Sequence, residues 1–271
     1  MNDSTDATEP PILVQHAAAD GGASGIVTLT LNRPAQRNAL DPELAGALVD
    51  AVEAAAGDPA TRVVVLRGAG SAFCAGAKLD ALLTASEAGD LAGVRASFEV
   101  IERVYRALLA VRQPTIAAVH GPALAGGAGI VGVCDLVVVS ERASFGYPEV
   151  LLGLTPGMVL TLLVKQAGPR AALDLALTGR RVGADEALRL GLVTEVVPSE
   201  QLDARVTRLA AQLAALSPAA LTATKRWTWT LAEMPRLMEQ GRDLSTLLAL
   251  TEEARAGMRA FFDRSARPAR E

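Results

Sequence analysis

Five short runs of β-branched and aliphatic residues, separated by stretches of helical spacing, constrain this chain more than any other feature. They fall at 26–31 (IVTLTL), 63–66 (VVVL), 115–119 (TIAAV), 136–139 (LVVV) and 193–197 (VTEVV). Bounded by turn residues, such runs read as strands, most of them buried. Between them lie helical signals. Asp41-Pro42-Glu43 supplies an N-cap, a proline at the first helical position and an early acid, with apolar residues at helical spacing on to Ala56. Residues 98–111 and 185–190 read the same way. Strands alternating with helices predict an α/β core. After Pro198 the strands stop, and 199–264 is rich in Ala, Leu and Arg with helical periodicity. The expected organisation is a disordered tail over 1–11, an α/β core over 12–198 and a helical region over 199–271.

The remaining composition narrows the class. With 271 residues, half of them hydrophobic, the chain can bury one sizeable core. A net charge of -4 argues against a nucleic-acid surface and against a polybasic membrane patch. No apolar run approaches the roughly 18 to 20 residues of a membrane span. The opening MNDSTDATEP has no apolar core of a signal peptide, which leads us to expect a cytoplasmic protein. The two cysteines, Cys74 and Cys134, show no metal spacing and read as reduced, buried side chains. No metal site is expected.

Two corners concentrate small residues. Residues 68–80, GAGSAFCAGAKLD, follow directly on the run 63–66. Residues 124–135, LAGGAGIVGVCD, follow the run 115–119 through Gly121-Pro122. In an open α/β sheet, ligands bind beyond the carboxyl ends of strands. Small residues there let a ligand or another backbone come close, and helix N-termini favour negative charge. No phosphate-loop pattern is present. Two corners that each offer a peptide N–H suggest instead an oxyanion hole built from main chain.

At this point the chain resembles a known family. The segments NRPAQRNAL (32–40), GAGSAFCAGAKLD (68–80), VHGPALAGGAGIVGVCDLVVVS (119–140), ASFGYPEVLLGLTPG (143–157) and TGRRVGADEALRLGLVTEVVP (178–198) are similar, in order and spacing, to the enoyl-CoA hydratase/isomerase (crotonase) family. The resemblance implies a spiral of ββα units with a helical C-terminal region. It implies an acyl-CoA thioester as substrate, CoA entering as part of it with no separate cofactor. It further implies a homotrimer or a hexamer made of two trimers, with the helical region at the trimer contact.

The resemblance also places roles on residues. Ala77 and Gly126 match the two peptide donors that hold the thioester oxygen. Ala75, Lys78, Leu79 and Asp80 surround the first donor, and Lys225 resembles a lysine that can approach CoA phosphates. Family hydratases usually carry two glutamates. The first position is Gly129 here, so that carboxylate is missing. The second is retained as Glu149, which a raised pKa would suit to proton exchange with carbon. Tyr147 lies two residues before it, with packing or the acyl pocket as its roles. Asp135 and His120 read as structural. The gap at Gly129 is expected to admit water, an anion or a bulkier acyl group.

A single carboxylate leaves the reaction open between hydration of a 2-enoyl-CoA, the favoured reading, and migration of a double bond from C3 to C2. A branch that activates water through an anion at the glycine position is a further variant. A non-catalytic acyl-CoA binder is the alternative of another class, and retention of Glu149 argues against it.

Overall fold

The computed structural model describes residues 9–17 and 25–265. Most of the tail expected over 1–11 lies outside them. Residues 9–11 do not behave as a tail, because Pro10 O, Glu9 and Pro11 O accept hydrogen bonds from Asn32 and Glu9 O accepts one from Arg33.

A six-stranded sheet runs in the order β1 (Ile12–His16), β2 (Ile26–Leu31), β3 (Val63–Gly68), β4 (Thr115–Val119), β6 (Leu136–Ser140) and β9 (Glu195–Val197). Only β1 is antiparallel to its neighbour. A second sheet joins three-residue strands, β5 (Pro122–Leu124), β7 (Ser144–Gly146) and β8 (Arg181–Gly183). The ten helices among the described residues are α1 (Pro42–Gly57), α2 (Asp80–Glu87), α3 (Leu91–Ala110), α4 (Gly126–Val133), α5 (Gly157–Thr178), α6 (Ala184–Arg189), α7 (Leu202–Ala214), α8 (Pro218–Leu231), α9 (Met234–Ala249) and α10 (Glu252–Ser265). This is the crotonase spiral with its helical C-terminal region.

The runs 63–66, 116–119 and 136–139 are apolar throughout because both faces of the large sheet are covered there. Val27, Leu29, Leu31, Val64 and Leu66 pack into the main core with Leu44, Leu48 and Val52 of α1 and Val104 and Leu108 of α3. Ile26, Val63, Val65, Ile116 and Val138 point the other way, onto Leu202, Val206 and Ala210 of α7. Thus α7 closes the sheet although it lies beyond Pro198, where the strands end. The helix α1 starts as its sequence dictates: Asp41 Oδ1 accepts from Leu44 N–H at 2.9 Å, with Pro42 at the first position.

The last two helices rest on their own chain. Helix α9 packs on α5 and α3, where Arg242 and Arg106 both bind the buried Glu102. Helix α10 packs on α2 and on the turn Pro148–Leu152. Gly153 and Gly257 lie so close across this contact that a Cβ on either would fall within 3 Å of the facing backbone. Among the described residues, no helix is long and apolar enough to cross a membrane.

Candidate active site

The first corner is held by one side chain. Asn38, fully buried and left-handed at φ 55°, donates through Nδ2 to Ala69 O, Ala72 O and Phe73 O at 2.9, 2.9 and 3.1 Å. Its Oδ1 accepts from Arg33 N–H at 2.9 Å. Asparagine tolerates this backbone better than most residues, and its amide replaces the ladder bonds the turn lacks. Two residues on, Leu40 N–H donates to Gly76 O and Lys78 N–H donates to Leu40 O, a parallel bridge with Ala77 opposite Leu40. Such a bridge uses the peptides flanking Ala77 and turns the N–H of Ala77 itself to the other side.

The second corner lies on that other side. Cys74 bridges Ala123, Leu124 N–H donates to Cys74 O, and Phe73 N–H donates to Pro122 O. The two corners therefore run in register, and three residues beyond each bridge partner come Ala77 and Gly126. Close approach depends on two glycines. A Cβ on Gly76 would lie 2.9 Å from Leu124 O, and one on Gly127 would lie 2.4 Å from Cys74 O. Ala125 turns the chain sharply at φ 48° and ψ -121°, a strained conformation for a residue with a Cβ. The result puts Gly126 N–H at the first position of α4, where no intrahelical partner exists. Neither Ala77 N–H nor Gly126 N–H donates to another group among the described residues. A Cβ built on Gly126 would lie 3.8 Å from Ala77 N, and one built on Gly76 would lie 3.3 Å from Gly126 N, so the two corners adjoin. A free N–H at a helix start, with a second on the adjoining corner, is the kind of donor set that favours an oxygen gaining negative charge.

Glu149 stands in the short 3-10 turn Pro148–Leu152 after β7. Part of the residue remains open, but its Oε2 is buried and has no hydrogen-bond partner among the described residues. Burial pushes its carboxyl up to about 7, partly opposed by its own backbone N–H. Its charge reaches two phenols, Tyr147 and Tyr105, whose acidities burial and that charge both depress. Tyr147 is buried in the core, as packing requires.

Tyr105 was not singled out in the sequence, and it overturns the expectation for Gly129. The side chain comes from α3 and is fully buried, and its hydroxyl donates to Gly126 O at 2.8 Å. A Cβ on Gly129 would fall 1.8 Å from Tyr105 Oη and 2.3 Å from Cζ. No gap exists beside Gly129, because a phenol from a neighbouring helix already fills it. Gly129 serves that contact and is not itself a substrate-facing residue.

Lys225 also departs from expectation. Its Nζ is buried, 2.8 Å from Asp135 Oδ2 and 3.0 Å from Gln113 O. These groups sit where β4 and β6 begin, the opposite end of the strands from Ala77 and Gly126, so Lys225 cannot meet a CoA bound at the corners. Asp135 is structural, as expected. It also accepts from Thr115 N–H, Thr115 Oγ1 and Trp229 Nε1. His120 donates to Gly70 O at 2.8 Å and braces the first corner. Both cysteines are free and buried, with thiols pushed up to about 12, which removes them as nucleophiles.

Around the first donor, the sequence and the geometry agree better. A cavity of about 350 Å³ is lined by Leu40, Pro42, Ala77, Lys78, Ser97 and Val100, with Asp80 and Ala81 at its edge. Lys78 is largely exposed and only 3.9 Å from Asp41. Ala75 ties back to Arg37 O, and Leu79 precedes α2 and packs beside Leu82. A larger cleft of about 680 Å³ lies between Arg62, Gln113 and Arg226, at the amino ends of β3 and β4 and away from both donors.

The comparisons with known proteins bear on this arrangement. The Enoyl-CoA hydratase/isomerase family model matches residues 21–268. The 2,3-dehydroadipyl-CoA hydratase of Escherichia coli is 38% identical over 242 residues, 88% of this chain and 92% of that protein. The crotonyl-CoA hydratase of Syntrophomonas wolfei is 34% identical, again over 88% of this chain and 92% of its own. A crystal structure of an enoyl-CoA hydratase from Mycobacterium avium superposes with a TM-score of 0.82 at 34% identity, covering 94% of this chain and 97% of that one. A chain that matches the family model over residues 21–268 and folds as its members do belongs to the enoyl-CoA hydratase/isomerase family.

Proposed function

We propose that this protein hydrates a 2-enoyl-CoA. The observation that carries the reading is Glu149, a buried carboxylate with an unpartnered oxygen whose charge reaches the phenol bound at the start of α4. In this reading Ala77 and Gly126 N–H hold the thioester oxygen and favour the enolate. The carboxylate of Glu149 takes a proton from water as the water oxygen bonds to C3. The displaced π pair moves toward the thioester, and Glu149 returns the proton to C2. A carboxyl near 7 exchanges protons readily in both directions at neutral pH. The chemistry needs no cofactor beyond the CoA carried by the substrate.

Lys78, exposed at the cavity mouth, is suited to a CoA phosphate, with Ala75, Leu79 and Asp80 shaping the entrance. Exposed Trp227, Leu231, Leu244 and Leu247 on α8 and α9 support a homotrimer or a hexamer. Two free thiols support a reducing, cytoplasmic setting.

The presence of one carboxylate also favours a second reading, isomerisation of a 3-enoyl-CoA, in which Glu149 moves a proton between C4 and C2. Parallel assays with crotonyl-CoA and a 3-enoyl-CoA separate the two. Hydratase function predicts faster turnover of crotonyl-CoA. Glu149→Gln should lower kcat by roughly 10²- to 10⁴-fold with KM nearly kept. No turnover of either substrate, with acyl-CoA still bound, would establish a silent binder instead.

A further inference from the structure

Helix α10 meets the turn that carries Glu149 backbone against backbone. A Cβ on Gly257 would lie 2.3 Å from Leu152 O and 2.4 Å from Leu152 C, and one on Gly153 would lie 2.7 Å from Ala254 N and from Glu253 O. Gly153 is left-handed at φ 71°, so its glycine has a second cause. Gly257 has no such cause, because it lies inside α10, where alanine is the better helix former. We propose that Gly257 is a positioning residue for Glu149, the contact of its bare backbone with Leu152 holding the turn, and with it the carboxylate, in place. This rests on the hydratase reading and names a residue through which its acid–base group is set.

The turn is built to transmit that contact. Gly153 N–H donates to Val150 O at 3.1 Å and Leu154 N–H donates to Glu149 O at 3.0 Å, so a shift of Leu152 and Gly153 carries residue 149 with it. The helix is the stiffer side. Ala254 and Met258 are fully buried in one cluster with Leu82, Val94 and Leu154. Arg255 Nη1 donates to Ser86 O at 3.0 Å, and Arg259 pairs with Glu87 at 2.6 Å. No residue of the turn Pro148–Leu152 is fully buried. A methyl group at 257 would face main-chain atoms, which cannot swing aside as the tip of a side chain does, so the displacement falls on the turn. Misplacing a reacting group by about 1 Å costs on the order of 10²-fold in rate. The same displacement brings Oε2 of Glu149, buried and unpartnered in the parent, toward water.

The test separates setting the acid from holding the fold. Gly257→Ala is compared with Met258→Ala, the next residue of the helix, which empties core volume without adding an atom in front of the turn. For each, kcat and KM for crotonyl-CoA, the pH dependence of kcat/KM and the melting temperature are measured. Gly257→Ala should lower kcat about 10- to 100-fold, with KM changed less than about twofold. Its pH limb should move from about 7 toward the ordinary carboxylate range as Glu149 gains solvent. Met258→Ala should lower the melting temperature yet keep kcat within about twofold and the limb where it is. An unchanged kcat or an unmoved limb in Gly257→Ala, or equal losses of activity in both variants, overturns the proposal. If Gly257→Ala fails to fold, hydrogen exchange on the parent decides. The amides of Gly153 and Leu154 should lose protection together with those of α10 as denaturant is raised. Turn amides that stay protected after α10 has opened reject the proposal. A parent that hydrates no crotonyl-CoA removes the hydratase reading and this inference with it. A parent that hydrates, with an unaffected Gly257→Ala, removes only the inference.

Discussion

Two carboxylates, Asp135 and Glu149, mark opposite ends of the strands, and their surroundings could hardly differ more. Asp135 stands where β6 begins and accepts from Lys225, Trp229 and both the N–H and hydroxyl of Thr115. Glu149 lies beyond the opposite strand ends, with one oxygen buried and unpartnered. Both residues are half-buried. A saturated carboxylate holds secondary structure together and has no capacity left for chemistry. A starved one is costly to ionise, and that cost brings its proton affinity to a value at which it can give and take protons at neutral pH. Burial alone therefore does not separate a structural acid from a reacting one. The count of satisfied lone pairs does.

Breaking the saturated end should be the larger disturbance to stability. Asp135→Ala leaves Lys225 buried with its charge unpaired and frees Trp229 and Thr115 of their acceptor. Loss of one partner of a buried pair costs about 3 to 5 kcal/mol, so denaturant melts should show a decrease of that order. The activity of the folded fraction should change little, since no part of this network lies at the corners.

The starved end should behave in the opposite sense, and with pH. The folded-state pKa of Glu149 is raised, so the native protein binds a proton that the unfolded chain releases between about 4.5 and 7. Its contribution is full below the unfolded value and is lost as pH rises through about 7. Relative to Glu149→Gln, the parent should lose up to about 3 kcal/mol of stability between pH 4.5 and pH 8. Paired melts across that range check this. A constant difference between parent and variant would mean that the carboxyl is better solvated than its burial implies.

What the sequence made legible follows from range. The runs at 63–66, 116–119 and 136–139 became strands because double-sided burial writes itself as continuous apolar sequence, and 26–31 by its β-branched, part-alternating pattern. Strands β5, β7 and β8 have three residues each, too few to carry a pattern. Glu149 could be found because a motif surrounds it. Tyr105 could not, since on α3 it falls in the apolar stripe with Ile101, Val104 and Leu108 and reads as core. Its hydroxyl donates to a glycine helix 21 residues away. A polar tip on that stripe was the available signal. Gly129 misled for a related reason. A glycine records that something approaches closely, but the sequence does not say whether that neighbour is solvent, substrate or another side chain. For Lys225, position on a late helix did not disclose which end of the strands it would reach.

The central claim is that Glu149, kept starved of partners, is the proton-exchanging group, and the pH dependence of kcat/KM for crotonyl-CoA hydration tests it most directly. Water must give its proton to the ionised carboxylate, so the account predicts a rate that rises with pH and levels off above an apparent pKa of about 7, the value burial sets for Glu149. Glu149→Gln should abolish that limb along with most of the rate. A limb near the ordinary carboxylate range, or one that survives unchanged in Glu149→Gln, would contradict it.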